Sequence, residues 1–258
     1  MFWAQLKTPD LDAVMAFYSA LLGWRVDVNT GGPGLPKGAC VLGGTTEPVA
    51  GMASMSAWEV QQDEPPRWTP FVPTPDAVAM TERAQFHGAT LIEPAMPAGG
   101  DGWRAVLSDP TGAEFGIWET TPSAAAPPIE VSENPAPGSL VWSELQTTDP
   151  YAARDFYGDL LVWSCVDDHP SDEFLGDDIR FSRGNAPIAR LRSVTRAEVS
   201  DAPRWLPGFA VENLDEAAKR AGDLGGAAHE PPSELECERP EVVVLDDPTG
   251  ASCLLVAS

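Results

Sequence analysis

The chain has 258 residues, 43% of them hydrophobic and 21% charged, and its formal net charge is -23. That length suits two domains, each able to bury its own core, and the acidity excludes nucleic acid, whose phosphates would be repelled. There is no basic-then-apolar leader and no apolar run of membrane length, so the expectation is a soluble cytoplasmic protein with no membrane partner.

In chain order, a short strand is predicted over 2–7. A helix then opens at Asp10, a plausible N-cap. Val14, Phe17, Tyr18, Leu21 and Leu22 follow at helical spacing and form the apolar stripe of a helix lying on a sheet. Strands are predicted at 24–28, 39–42 and 48–55, with glycine-rich turns between them. The pattern restarts with a strand at 68–73 and a helix over 76–86 closed by His87-Gly88. Strands at 90–93, 103–108 and 114–119 complete it, the last two joined by Asp109-Pro110-Thr111-Gly112, which suits a type I turn.

The second half writes the first again. Trp3-Ala4-Gln5-Leu6, Phe17-Tyr18 and Leu21-Leu22-Gly23-Trp24 return as Trp142-Ser143-Glu144-Leu145, Phe156-Tyr157 and Leu160-Leu161-Val162-Trp163, an offset of 139. Pro65-Pro66-Arg67-Trp68 matches Ala202-Pro203-Arg204-Trp205, and Asp109-Pro110-Thr111-Gly112-Ala113 matches Asp247-Pro248-Thr249-Gly250-Ala251. Two related domains are expected, 1–122 and 139–258, around a Pro/Ala-rich linker at 123–138. The fold class is α+β, with four βαβββ units.

The four cysteines are scattered and form no CxxC pair, so reduced thiols are expected. His87 reads as a helix-end cap, while His229-Glu230 lies on a strand. His169 sits among Asp167-Asp168 and Asp177-Asp178, a solvated loop without the spacing of a calcium site. No nucleophile elbow or phosphate loop is present, and Gly31-Gly32-Pro33-Gly34 is a turn rather than a dinucleotide fingerprint.

The FY…LLGW after the first helix and the closing DPTGAEFGIWE resemble the vicinal oxygen chelate superfamily of glyoxalases, extradiol dioxygenases and bleomycin-resistance proteins. More narrowly, the chain is similar to a two-domain, glyoxalase-like "hydroxylase" branch common in actinobacteria. The resemblance implies two tandem half-barrel domains, each with a ligand in its concavity. Catalytic members hold a divalent metal at positions that fall here on Trp3, Gly51 and Gly116 in the first domain and on Trp142, Arg190 and Leu254 in the second. The fourth position falls near Trp68 and Trp205. None is a normal metal ligand, so no metal and no other cofactor is expected.

Strand alternation puts Trp3, Gln5 and Lys7 on one face and Trp142, Glu144 and Gln146 on its twin. With Trp68, Trp118 and Trp205 these are the candidate ligand-binding residues, and Gly116 is expected to leave open space beside Trp118. Glu144 and Arg190 are the candidate catalytic pair, because ionisable groups there replace Gln5 and Gly51 of the first domain. The expected function is metal-independent binding of a small aromatic or hydrophobic metabolite, in resistance by sequestration or in specialised metabolism. The alternative is a metal-free isomerase, cyclase or lyase using Glu144 as acid/base, and a metal-dependent glyoxalase or dioxygenase ranks behind both. The expected partner is a small molecule, and the expected state is a monomer or homodimer.

Overall fold

A computed structural model describes residues 3–29, 38–42, 48–98, 102–120, 135–167, 178–183, 186–194, 203–229 and 242–258. The first module is β1 (Trp3–Thr8), α1 (Leu11–Leu22), β2 (Arg25–Asn29), β3 (Gly38–Leu42) and β4 (Pro48–Ser54), followed by a short α2 (Ala57–Gln61). The second is β5 (Arg67–Thr74), α3 (Ala77–Phe86), β6 (Thr90–Pro97), β7 (Gly102–Ser108) and β8 (Glu114–Thr120). The third is β9 (Leu140–Thr147), α4 (Pro150–Leu161), β10 (Ser164–Asp167), β11 (Asp178–Arg183) and β12 (Ala186–Ser193). The fourth is β13 (Arg204–Val211), α5 (Leu214–Asp223), β14 (Ala227–His229), β15 (Val242–Asp246) and β16 (Ser252–Ala257). These are the four expected βαβββ units. In each, the first strand pairs in parallel with the last, and the described pairings between the other strands are antiparallel.

Helix starts follow the local chemistry. The Asp10 and Asp149 carboxylates accept the N–H of Ala13 and Ala152, with Pro150 in the first turn of α4, and Asp76 and Asn213 cap α3 and α5 in the same way. The helix α2, absent from the elements expected above, starts in a capping box between Ser56 and Glu59.

Packing divides the chain into two compact units, one of Pro70–Val131 with Trp142–Leu206, the other of Trp3–Thr69 with Ser132–Val141 and Pro207–Ser258. In the first, Phe115, Phe156 and Tyr157 meet edge to face in a core that also holds Ile117, Leu145, Phe181 and Trp163. The fully buried Tyr157 hydroxyl donates to Asp109 Oδ2 (2.9 Å) and accepts from Trp205 Nε1 (2.9 Å). Asp109 Oδ1 accepts the N–H groups of Thr111, Gly112 and Ala113 and the Thr111 hydroxyl, which fixes the turn. The second unit repeats the arrangement with its own copies. Trp68 Nε1 donates to the Tyr18 hydroxyl (3.1 Å), which donates to Asp247 Oδ2 (3.3 Å). Asp247 Oδ1 accepts from Thr249 and Ala251 in its turn. Trp24 stacks on Tyr18, and its indole donates to the Gly138 carbonyl (2.7 Å).

Cys253 is a buried thiol 3.8 Å from the Tyr18 hydroxyl, and Cys165 is half-buried; the Cys40 side chain, Cys237, His169, the 31–34 turn and most of the expected linker lie outside the described residues. No described helix is long and apolar enough to cross a membrane.

One twin pair departs from helix-ending rules. α1 ends on Gly23 with φ 68°, and α4 ends on Val162 with φ 55°, a β-branched residue in the left-handed region. Val162→Gly should raise unfolding free energy by about 1 kcal/mol, and Gly23→Val should lower it by at least that much. A Cβ at Gly23 meets nothing within 4 Å, so the cost there is purely backbone. Urea unfolding of both variants measures the two effects.

Candidate functional site

The first module closes its own face. Trp3, Gln5 and Lys7 are half-buried on one side of β1, while Ala4, Leu6 and Thr8 are fully buried on the other. Gln5 stands opposite Gly51 on β4, and a Cβ at Gly51 would come 3.1 Å from Trp3 Cζ2. The indole therefore lies on the glycine. Lys7 Nζ is held by Glu59 Oε1 at 2.7 Å, and Arg67 reaches Glu59 at 3.9 Å and Glu64 at 3.2 Å.

The third module builds the same face from different chemistry. On β9, Glu144 and Gln146 are buried and Trp142 is half-buried. Arg190 on β12 is the register partner of Glu144, and Arg192 is the partner of Gln146. The Arg190 guanidinium lies over the Trp142 ring, 5.4 Å from its centroid, within cation–π range. Gln146 Nε2 donates to Glu144 Oε1 (3.0 Å), and Arg204 Nε donates to Gln146 Oε1 (3.4 Å). Across the next strand pair, Arg180 on β11 stands opposite Arg190.

The structure thus brings together Trp142, Glu144, Gln146 and Arg190, and separately Trp3, Gln5 and Lys7. It corrects the placement of Trp68 and Trp205. Both are almost wholly buried, with their indole N–H groups committed to Tyr18 and Tyr157, so they are core rather than lining. Gly116 leaves no open space, because the Phe71 ring lies where its side chain would be. Trp118 is half-buried with Phe71 edge-on to it at 6.0 Å. His87 caps α3 as expected and approaches Asp159 at 4.0 Å; His229 pairs with Asp246 at 3.1 Å.

Sequence reasoning passed over Arg180, Arg192, Arg204 and Glu59. Alternation in Arg190-Leu191-Arg192 carried a signal, since strand period puts both guanidiniums on one face. Glu59 carried one in Ser56-Ala57-Trp58-Glu59, a capping-box spacing.

The metal expectation turns on donors. Among the described residues no three His, Cys, Asp or Glu side chains converge. Indole, glycine, guanidinium and the buried Leu254 stand at the positions that the family resemblance assigns to metal ligands, and such groups do not fit a divalent ion.

The Glyoxalase-like domain family matches this chain twice, over residues 3–118 and 142–256. The chain belongs to that family. It is 32% identical over 268 residues to the anthracycline biosynthesis protein DnrV of Streptomyces peucetius, covering 98% of this chain and 91% of that one. It is 30% identical over 256 residues to a Mycobacterium tuberculosis protein named "Putative glyoxylase CFP32", covering 96% and 91%. Among solved structures, the Mn(II)-bound glyoxalase from Novosphingobium aromaticivorans matches with a TM-score of 0.64 at 14% identity, covering 99% of this chain and 80% of that one. The 2,3-dioxygenase LapB from Pseudomonas sp. KL28 matches at 0.63 and 12%, covering 99% and 91%. At such identities the structures establish the α+β fold of tandem half-barrels, the vicinal oxygen chelate fold, and nothing about chemistry.

The ion pairs of the first module have a pH signature. Burial opposes ionisation of Glu59, but hydrogen bonds from Lys7 and from Ser56 outweigh it and bring its pKa from 4.5 down to about 2. A depressed carboxylate pKa stabilises the fold above the unfolded value, and that contribution fades as pH falls from about 4.5 towards 2. Glu59→Gln should therefore cost about 1–2 kcal/mol at pH 7, a range discounted for solvent screening. Unfolding curves at pH 7 and pH 2.5 should show that difference largely lost at the lower pH.

Proposed function

We propose that this protein binds a small, flat, aromatic or hydrophobic metabolite of specialised metabolism without a metal, on the strand face that carries Trp142. One observation carries the reading. A half-buried indole sits under the Arg190 guanidinium and beside a buried Glu144–Gln146 pair. Such a face offers ring stacking with a few fixed polar groups to set orientation, which is the general make-up of a small-molecule site. The relatives named for anthracycline biosynthesis support a place in specialised metabolism.

A second reading rests on Glu144 itself. A buried carboxylate whose register partner is an arginine suits proton transfer next to a carbonyl, with Glu144 as acid/base and Arg190 stabilising the oxyanion. Under that reading Glu144→Gln abolishes turnover while leaving ligand affinity within a few fold.

The binding proposal is tested by calorimetric titration with two planar probes, anthraquinone-2-carboxamide and anthraquinone-2-carboxylate. At least one should bind, and Trp142→Ala should weaken that binding by about 1–3 kcal/mol. If neither probe binds, or if Trp142→Ala leaves affinity unchanged, the proposal fails.

A further inference from the structure

The chain carries 39 acidic residues against 16 lysines and arginines, yet the third module gathers guanidiniums on one strand face. Arg180, Arg190 and Glu144 lie in one row across β11, β12 and β9, and Asp178, Arg192 and Gln146 lie in the next row. Arg204 comes in from β13 to meet Gln146. Arg180, Arg190 and Arg192 thus share a strand face with Glu144, and Arg204 reaches it through Gln146. Glu144 shares its buried position with Gln146, whose amide donates to the carboxylate and whose oxygen accepts from Arg204. The amide orientation is therefore set from both sides. Arg192 is itself buried, and Arg180 and Arg190 are half-buried.

The twin face of the first module lacks this chemistry. Gly51 and Ala53 occupy the positions of Arg190 and Arg192, and the Lys7 ammonium is held by Glu59. Arg180, Arg190 and Arg192 are therefore a property of the third module alone, whereas Arg204 of the fourth repeats Arg67.

We propose that this face is an anion site, which takes the carboxylate of a planar ligand on the guanidiniums of Arg190 and Arg180 while the ligand's ring packs beside Trp142. A guanidinium presents a planar fork that matches a carboxylate with two parallel N–H···O bonds. Arg190 is placed to do both jobs, since it already lies over the Trp142 ring. Glu144, the register partner of Arg190, ends the row on β9, so the docking edge is its arginine side on β12 and β11. The inference rests on the binding reading above and names the class of its ligand, a carboxylate-bearing aromatic molecule, bound once per chain.

The two probes differ in charge and scarcely in shape, so their comparison isolates the anion. On the full chain in 50 mM NaCl, the carboxylate should bind at least tenfold more tightly than the carboxamide, with one site per chain. That preference should narrow in 300 mM NaCl. It should fall below threefold in Arg190→Met, or in Arg180→Met if the first variant fails to give a native circular dichroism spectrum. Equal affinity of the two probes for the unaltered protein would overturn the anion site and leave the stacking site standing. A charge preference that survives in both folded arginine variants would overturn the assignment to this face. Binding of neither probe would remove the binding reading itself, and the anion site with it.

Discussion

Two buried phenols set the constraint that the rest of the structure obeys. Tyr18 and Tyr157 are wholly enclosed, and burial holds both pKa values well above the usual range, so each hydroxyl keeps its proton and needs an acceptor. The acceptors are Asp247 and Asp109, carboxylates that burial itself pushes upward while hydrogen bonds from Thr249 and Thr111 and from the tyrosines pull them back. The other oxygen of each aspartate gathers backbone N–H groups of the DPTG turn. One side chain thus ties a helix to the turn that launches a last strand. Trp68 and Trp205 complete the set by donating to the same hydroxyls.

Once the last strands are anchored, the parallel pairing inside each module fixes register, and register decides which residues share a face. In the first module Gln5 meets Gly51 and Lys7 meets Ala53; in the third, Glu144 meets Arg190 and Gln146 meets Arg192. The backbone arrangement is common and the chemistry has moved. A cation on the first strand of one module is replaced by cations on the fourth strand of the other. With Gly51 the Trp3 ring settles onto the backbone, and with Arg190 in that place the Trp142 ring has a guanidinium over it instead. The glycine-to-arginine difference at this register position goes with the change from an indole lying on a glycine to one lying under a guanidinium.

Much of this was legible in the sequence because it rests on local rules. The helical stripe from Val14 to Leu22, the Asp10 and Asp149 caps and the repeated turn all depend on neighbours a few residues apart. The face of Trp142, Glu144 and Gln146 followed from strand period alone. Trp68 and Trp205 were misplaced because a position at the opening of a strand does not say which face of that strand is the core. That depends on the phenols waiting across the packing layer, tens of residues away. Phe71 over Gly116 escaped for a similar reason, since a glycine shows where a side chain is missing and not whose side chain fills the gap. The glycine at Gly23 was replaced by Val162 without loss of the helix end, a position where backbone strain is tolerated and local preference is overruled.

The acidity of the whole chain and the arginines of one face are compatible because charge acts over short range in salt water. At physiological ionic strength the Debye length is about 8 Å, so most of the net charge is screened from a ligand seated on β9, β11 and β12. A carboxylate about 4 Å from a guanidinium near the surface gains on the order of 4 kcal/mol before desolvation is charged against it. Neighbouring guanidiniums add to that gain, whereas distant carboxylates subtract little. The same arithmetic explains why Glu144 stands among arginines. A carboxylate buried alone would be driven to take up a proton, and one beside guanidiniums can remain an anion at a tolerable desolvation cost. The row of Arg180, Arg190 and Glu144 keeps a buried acid in register with arginine, and the arginine end of that row is the edge on which the proposed ligand docks.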